Sequence, residues 1–327
     1  MNRSLPLNRR SLLLSAAALG LHPLAGAAAD DYPSRKPVRL IVPFSAGGSS
    51  DVVGRTIGDW MAKDLQQTVL IENKAGAAGA IGSDYVARAE PDGYTLLLVD
   101  ALHTVNPVFT RNIPFDPVKD FTAVGGIAKT PLFLVCRPDF PVKSVAEMVA
   151  YAHKHPGKLN IGIPGNGSVV FEMIRHLSKA KVTVVPYKGT APALIDLVAG
   201  QIDLMVISIA SGASFVKNGQ VRMLANTAPA RHPDYPDVPT FAEAGLPGVE
   251  YEQWFGILGP AGLPAPVSAR ISRAISYALA QPAMQERLKA LLLDPYEADA
   301  KTFGDRVAGD ARKWMQLAKD AKIKPVG

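Results

Sequence analysis

The chain has 327 residues, 48% hydrophobic and 20% charged, which excludes a disordered chain and allows one large domain or two of ordinary size. Three of its positive charges are arginines in residues 1–29, where no acidic residue occurs, so the net charge falls from +6 to +3 without that segment. An excess this mild does not argue for nucleic acid, and a single cysteine, Cys136, excludes an intramolecular disulfide.

Residues 1–29 read as an export signal. Arg3, Arg9 and Arg10 form a charged start, residues 11–24 are rich in Leu and Ala, and small residues around Ala27 and Ala29 fit a cleavage site. Arg9-Arg10-Ser11-Leu12-Leu13 also fits a twin-arginine signal, so two export routes stay open, the ordinary secretory one being preferred. No later apolar run has the length of a membrane span. These features predict a periplasmic protein.

Beyond the signal, short apolar runs alternate with helical patterns. The first, residues 38–44, is continuous and suits a buried parallel strand. It breaks at Ser45-Ala46-Gly47-Gly48-Ser49-Ser50-Asp51, after which Val52, Val53, Ile57, Trp60, Met61 and Leu65 recur at helical spacing. A strand, a Gly-rich turn and a helix N-terminus aim free backbone N–H groups and a positive dipole end at whatever lies above. A plain tight corner fits the same residues. Further strands are expected at 68–72, 95–99, 123–127, 132–137, 159–163, 182–186, 204–208, 221–226 and 255–258. Helices are expected at 144–153 and 192–198, and the stretch 266–317 reads as helical and packs back on the first domain. Such alternation predicts parallel sheets flanked by helices. Ten strands divide more naturally into two sheets than into one.

Four more small-residue turns follow predicted strands: 74–82, 100–104, 164–168 and 187–190. Ligands of open parallel sheets bind outside the carboxyl ends of the strands, so these turns predict two rims of one cleft. Catalytic readings find less. The chain has no G-x-S-x-G elbow and no phosphate-binding G-x-x-x-x-G-K-[ST] loop. Its histidines are scattered, and His153 and His155 would point to different sides of a helix. His103 alone falls in a rim turn, where it is a ligand contact or a surface group. Lys188 is an anion partner or a solvated side chain. Asp203 is a ligand group or a turn residue.

Pro43-Phe44-Ser45-Ala46-Gly47-Gly48-Ser49-Ser50-Asp51 resembles the first-loop signature of the Bug-type solute receptors, the extracytoplasmic substrate-binding proteins of tripartite tricarboxylate transporters. Asn73-Lys74-Ala75-Gly76-Ala77-Ala78-Gly79, Pro91-Asp92-Gly93-Tyr94-Thr95-Leu96 and Phe115-Asp116-Pro117-Val118-Lys119-Asp120-Phe121 resemble that family too. So do Val185-Pro186-Tyr187-Lys188-Gly189, Ala199-Gly200-Gln201-Ile202-Asp203, residues 236–245 and Trp254-Phe255-Gly256.

The resemblance implies a two-lobed α/β fold of the type II periplasmic-binding-protein kind, with two mainly parallel sheets, flanking helices and a hinge. Residues 30–130 and 250–327 would form one domain and 131–249 the other. The ligand would be a small organic anion, in particular a carboxylate, held between the lobes. On the first rim the expected contacts are Phe44, Ser45, Ala46, Gly47, Gly48, Ser49, Asp51, Gly79, Ala80, Leu102 and His103. On the second they are Gly165, Asn166, Gly167, Ser168, Tyr187, Lys188, Gly189, Thr190 and Asp203. The resemblance implies no catalytic residue, metal or cofactor. Its partners would be the ligand and membrane permease subunits, or a sensor kinase if the receptor signals, with the protein itself a monomer. A secreted α/β enzyme acting on an organic acid is the rival reading.

Gly167-Ser168-Val169-Val170-Phe171-Glu172 departs from the family's Gly-Ser-x-x-His-Leu, so selectivity is expected on the second rim. Three or four hydrogen bonds from residues 45–49 to a charged group, each about 1.5–3 kcal/mol, with the helix N-terminus and similar bonds from the opposite rim, would leave about −8 kcal/mol after association costs, a micromolar affinity without an arginine clamp. Asp51, beside an anion site, is expected to turn away and brace the loop, the alternative being contact with a cationic part of the ligand.

Overall fold

A computed structural model describes residues 32–164, 167–187 and 190–323; the export segment lies outside that range. The fold is α/β, as the alternating pattern predicts. In chain order it runs β1 (Val38–Val42), α1 (Ser49–Leu65), β2 (Val69–Asn73), a 3₁₀ turn (Ala77–Gly79), α2 (Ala80–Ala87), β3 (Thr95–Asp100) and α3 (Leu102–Phe109). Then come β4 (Phe121–Cys136), α4 (Val145–Lys154), β5 (Asn160–Pro164), α5 (Gly167–Ser178), β6 (Thr183–Tyr187), α6 (Thr190–Val198), β7 (Leu204–Ser208), α7 (Ile209–Lys217) and β8 (Arg222–Asn226). The chain closes with β9 (Glu252–Pro260), α8 (Ala265–Leu279), α9 (Pro282–Ala290), β10 (Asp294–Pro295) and α10 (Ala300–Asp320).

Two sheets share one strand. The path runs β2-β1-β3-β9-β4-β7-β5-β6, with β8 and β10 also on β4. The β1–β2 and β1–β3 ladders are parallel, as are β5–β6 and β5–β7, whereas the ladders of β9 and β4 are antiparallel. Strand β4 joins the sheets: it pairs β9 up to Pro131↔Glu252, then β7 and β8 from Leu132↔Ser208 and Phe133↔Asn226. The expected strands at 123–127 and 132–137 are therefore one strand of 16 residues. The intervening Lys129-Thr130-Pro131 reads as a break, but tertiary pairing carries β4 through it.

Each sheet is buried by helices whose apolar faces match its strands. Val53, Ile57, Met61 and Leu65 recur along α1 and are buried against Val38, Leu40 and Val42 of β1 and Leu96 and Leu98 of β3. Val267, Ile271, Ala274 and Ala278 of α8 close the same core. Gly54 and Gly58 let α1 approach; a Cβ on Gly58 would stand 2.8 Å from Ile71 Cδ1. Phe303, Val307 and Trp314 of α10 pack on the sheet shared by β9 and β4, which returns the C-terminal helices to the strands of the first sheet. Trp254 Nε1 donates to Asp310 Oδ2 at 2.7 Å, and Gly256 makes room for the Phe303 ring. Residues 254–256, quoted above as a family-like motif, thus serve packing.

Candidate functional site

Strand β1 ends at Val42, and the chain turns through Pro43–Gly48 onto α1. Gly47 has φ +84°, which a side chain rarely adopts. Gly48 occupies the cap position of α1, and no side chain closes that end. The N–H groups of the first helical turn therefore face outward over exposed residues 45–49.

Asp51 does not face outward. It is buried, with its Oδ2 accepting from Gly47 N at 2.9 Å and Arg55 Nε at 3.0 Å, and its Oδ1 from Asn73 Nδ2 at 2.9 Å. Asn73 Nδ2 also donates to Phe44 O at 3.0 Å, and Asn73 Oδ1 accepts from Arg55 Nη2. The hydrogen bond from Arg55, with those from Gly47 and Asn73, holds the Asp51 carboxyl down at about 2 despite its burial. Asp51 is a charged brace that ties the loop to α1 and β2.

Beside the loop lies a narrow pocket lined by Pro43, Phe44, Ala78, Gly79, Ala80, Ser83, Val99, Asp100, His103, Asn106 and Phe115. Its wall at 76–79 is an unusual piece of backbone. Gly76, Ala77, Ala78 and Gly79 all have positive φ, two of them without being glycine, and such strain persists only where the surroundings hold it. Asn106 Nδ2 donates to Ala78 O. Gly82 lets α2 press against the exit of β1: a Cβ there would be 2.8 Å from Pro43 Cα and 2.9 Å from Lys74 O.

The floor is polar and buried. Asp100, the last residue of β3, is 4% exposed. Its Oδ2 accepts from Ser50 Oγ at 3.1 Å and its Oδ1 from Leu102 N at 3.0 Å. Burial outweighs both bonds and pushes its pKa up to about 6. His103 follows on α3. Its Nε2 lies 3.0 Å from Pro117 O; a carbonyl only accepts, so Nε2 carries the proton and Nδ1 is a bare acceptor. That Nδ1 is buried with no partner among the described residues. Burial lowers the His103 pKa to about 4, leaving the ring neutral. Phe115 stacks on the ring at 5.4 Å and Phe121 meets it edge-on at 4.8 Å. The 115–121 motif shapes this wall, because Asp116 Oδ1 accepts from Val118 N and Lys119 N and folds the segment back on itself.

Of the residues expected from sequence, the structure gathers Phe44, Gly79, Ala80 and His103 around this pocket. Ser45, Ala46, Gly47, Gly48 and Ser49 form the adjacent exposed loop, Asp51 lies beneath it, and Leu102 is half-buried beside His103. On the other sheet, Gly167 and Ser168 open α5, and Thr190 opens α6. Tyr187, at the carboxyl end of β6, donates its hydroxyl to Asp196 Oδ2 at 2.6 Å. Gly165, Asn166, Lys188 and Gly189 lie outside the described residues. Asp203 sits just ahead of β7, at the opposite ends of these strands from Pro164 and Tyr187. It accepts from Asn160 N at 2.8 Å and stands 3.6 Å from Arg137, so the geometry removes it from the site. Among the residues not foreseen are Asp100, Ser83, Asn106 and Phe115. An acid directly after the buried run Thr95-Leu96-Leu97-Leu98-Val99 was the available signal for Asp100.

Residues 53–323 match the family model described as "Tripartite tricarboxylate transporter family receptor". The chain is 38% identical over 295 residues to an Agrobacterium vitis protein, described as a UPF0065 protein in the TAR-I ttuE-ttuC' intergenic region, covering 89% of this chain and 84% of that one. It is similar to the structure of the periplasmic binding protein BugD, at 34% identity and TM-score 0.75, covering 89% of this chain and 99% of that one. It is also similar to R. palustris Rpa4515 with adipate, at 31% identity and TM-score 0.78, covering 90% and 100%.

Proposed function

The chain belongs to the tripartite tricarboxylate transporter receptor family, and from that premise we propose that it is a periplasmic solute-binding protein that captures a small organic carboxylate. It delivers this ligand to the membrane permease subunits of a transporter. Residues 30–130 and 250–327 act as one lobe and 131–249 as the other, with the crossings at Pro131 and Tyr251 as the hinge. The observation that carries the reading is the uncapped α1 N-terminus beside the pocket at the ends of β1 and β3. Its N–H groups and helix dipole favour an anion without a paired cation. The adipate in the Rpa4515 structure is a ligand of the same chemical class.

The second lobe contributes through the starts of α5 and α6, at the carboxyl ends of β5 and β6. That lobe carries the selectivity, since Gly167-Ser168-Val169-Val170-Phe171-Glu172 departs from the family pattern. An export signal read from residues 1–29 supports a periplasmic location for the mature protein. A receptor rather than a secreted enzyme is favoured because the chain resembles BugD, a periplasmic binding protein, along 89% of its length.

The test is to purify the exported protein, release any small molecule by denaturation and identify it by mass spectrometry. A thermal-shift panel of mono-, di- and tricarboxylates follows. A ligand with micromolar Kd, present at millimolar concentration, stabilises by about 4 kcal/mol. Silence across the carboxylates, with no acid recovered, would reject the reading.

A further inference from the structure

The pocket beside the first loop is built for a hydrogen-bond donor, although the loop next to it is built for an anion. Two of its buried lining groups are acceptors: the Asp100 carboxylate and the bare Nδ1 of His103. Among the described residues each carboxylate oxygen of Asp100 has one hydrogen-bond partner, leaving a lone pair on each. His103 is 6% exposed, and its Nδ1 has no hydrogen-bond partner among the described residues. A buried acceptor left unmatched is costly, and two in one pocket mark a place where a ligand donor completes the set. Among the described residues no lysine or arginine lines the pocket. Arg55, on the first helix behind the loop, is already committed to Asp51 and Asn73. A second carboxylate of a plain diacid entering here would meet Asp100 with no countercharge.

We infer that the ligand is an aminocarboxylate, with its carboxylate on the N–H groups of the loop and α1 and its protonated amine received by Asp100 and His103. Ser50 joins the two halves. It sits in the first turn of α1, and its hydroxyl donates to Asp100 Oδ2, so the anion-favouring and cation-favouring groups lie side by side, as the charges of a small zwitterion do. A primary ammonium has three N–H donors, matching two Asp100 oxygens and one imidazole nitrogen. The desolvated state of Asp100, which raises its pKa, fits a carboxylate kept in place for an incoming cation. This inference rests on the carboxylate-receptor reading and narrows it.

The experiment titrates the ligand-free full-length mature protein by calorimetry with matched pairs: aspartate against succinate, glutamate against glutarate, and β-alanine against propionate. The wild type is expected to bind at least one amine-bearing member ten-fold or more tighter than its partner. Asp100→Asn, which keeps the shape and both hydrogen-bond positions, is expected to abolish that preference while circular dichroism shows a wild-type fold. Equal or tighter binding of the amine-free acids by the wild type would overturn the inference and leave the carboxylate reading standing. So would an amine preference that survives in a folded Asp100→Asn. If neither member of any pair binds, and carboxylates are silent in general, the underlying reading fails as well. The comparison within each pair on the wild type stands even if the variant does not fold.

Discussion

Replacing Asp51 by asparagine separates a loop brace from a ligand contact. The ionised carboxylate accepts from Gly47 N, Arg55 Nε and Asn73 Nδ2. An asparagine in the same place keeps one acceptor but turns an N–H₂ group toward donors. The native carboxyl is held at about 2 against an ordinary 3.8, a difference of about 2.4 kcal/mol at 1.36 kcal/mol per pH unit. Arg55 is half exposed, and solvent screening reduces what is realised to about 1–2 kcal/mol. The folded pKa lies below the unfolded one, so this stability is complete above about pH 4 and is lost as pH falls toward 2. Urea unfolding of wild type and Asp51→Asn at pH 7 should differ by about 1–2 kcal/mol, and the gap should close as pH nears 2. Carboxylate affinity should fall only as far as loop order falls. Wild-type stability together with a clean switch between amino-acid and plain-acid ligands would refute the reasoning and place Asp51 on the ligand.

Asp100→Asn should act in the opposite direction on stability. The buried carboxyl rises from 3.8 to about 6, so its ionised form costs the free protein about 3 kcal/mol at neutral pH. The variant should be about 1–3 kcal/mol more stable at pH 7 and lose that advantage below about pH 4, as urea titrations would show. His103 has its pKa lowered by burial to about 4, so its imidazole proton resonances should stay flat from pH 8 to pH 5; a titration near 6.5 would contradict the packing described. Gly82→Ala places a methyl against Pro43 Cα and Lys74 O and should cost about 1–3 kcal/mol, with weaker carboxylate binding in the same calorimetric assay. Glu252 accepts from Lys129 at 2.9 Å and from Arg306 at 3.3 Å where β9 meets β4 and α10. Glu252→Ala should lower the unfolding free energy by about 1–2 kcal/mol, because Lys129 loses its carboxylate and Arg306 keeps that of Asp310.

The strands were legible where burial on both faces makes a continuous apolar run. Residues 38–44, 95–99 and 204–208 announce β1, β3 and β7 within a residue or two. Strand β4 was misread as two because Lys129 and Thr130 interrupt its hydrophobicity. Lys129 finds its partner in Glu252, 123 residues on, a distance no local pattern reports. The two residues of β10 exist only because Asp294 and Pro295 meet Lys129 and Ala128. The turn from β1 into α1 could be read directly, since an apolar run stops at two glycines and two serines before a helical pattern begins, although a plain tight corner fits the same residues. Its brace could be guessed from the charge conflict at the helix start, but Asn73, the partner 22 residues away, could not. The turn 100–104 is legible as a rim, but nothing within that turn singles out Asp100. Its meaning comes from Ser50 and His103 arriving from other elements. Asp203 enters the expected contacts through the family resemblance, whereas the strand direction puts it at the far end of β7 as a turn residue.

The central claim is that a small carboxylate is held and released unchanged. Calorimetric titration of the ligand-free protein with carboxylates and amino acids, followed by NMR of the recovered ligand, tests it most directly. The account predicts one saturable site with Kd near micromolar for at least one of these acids, recovered intact. No binding across the whole panel, or recovery of a chemically altered acid, would contradict it.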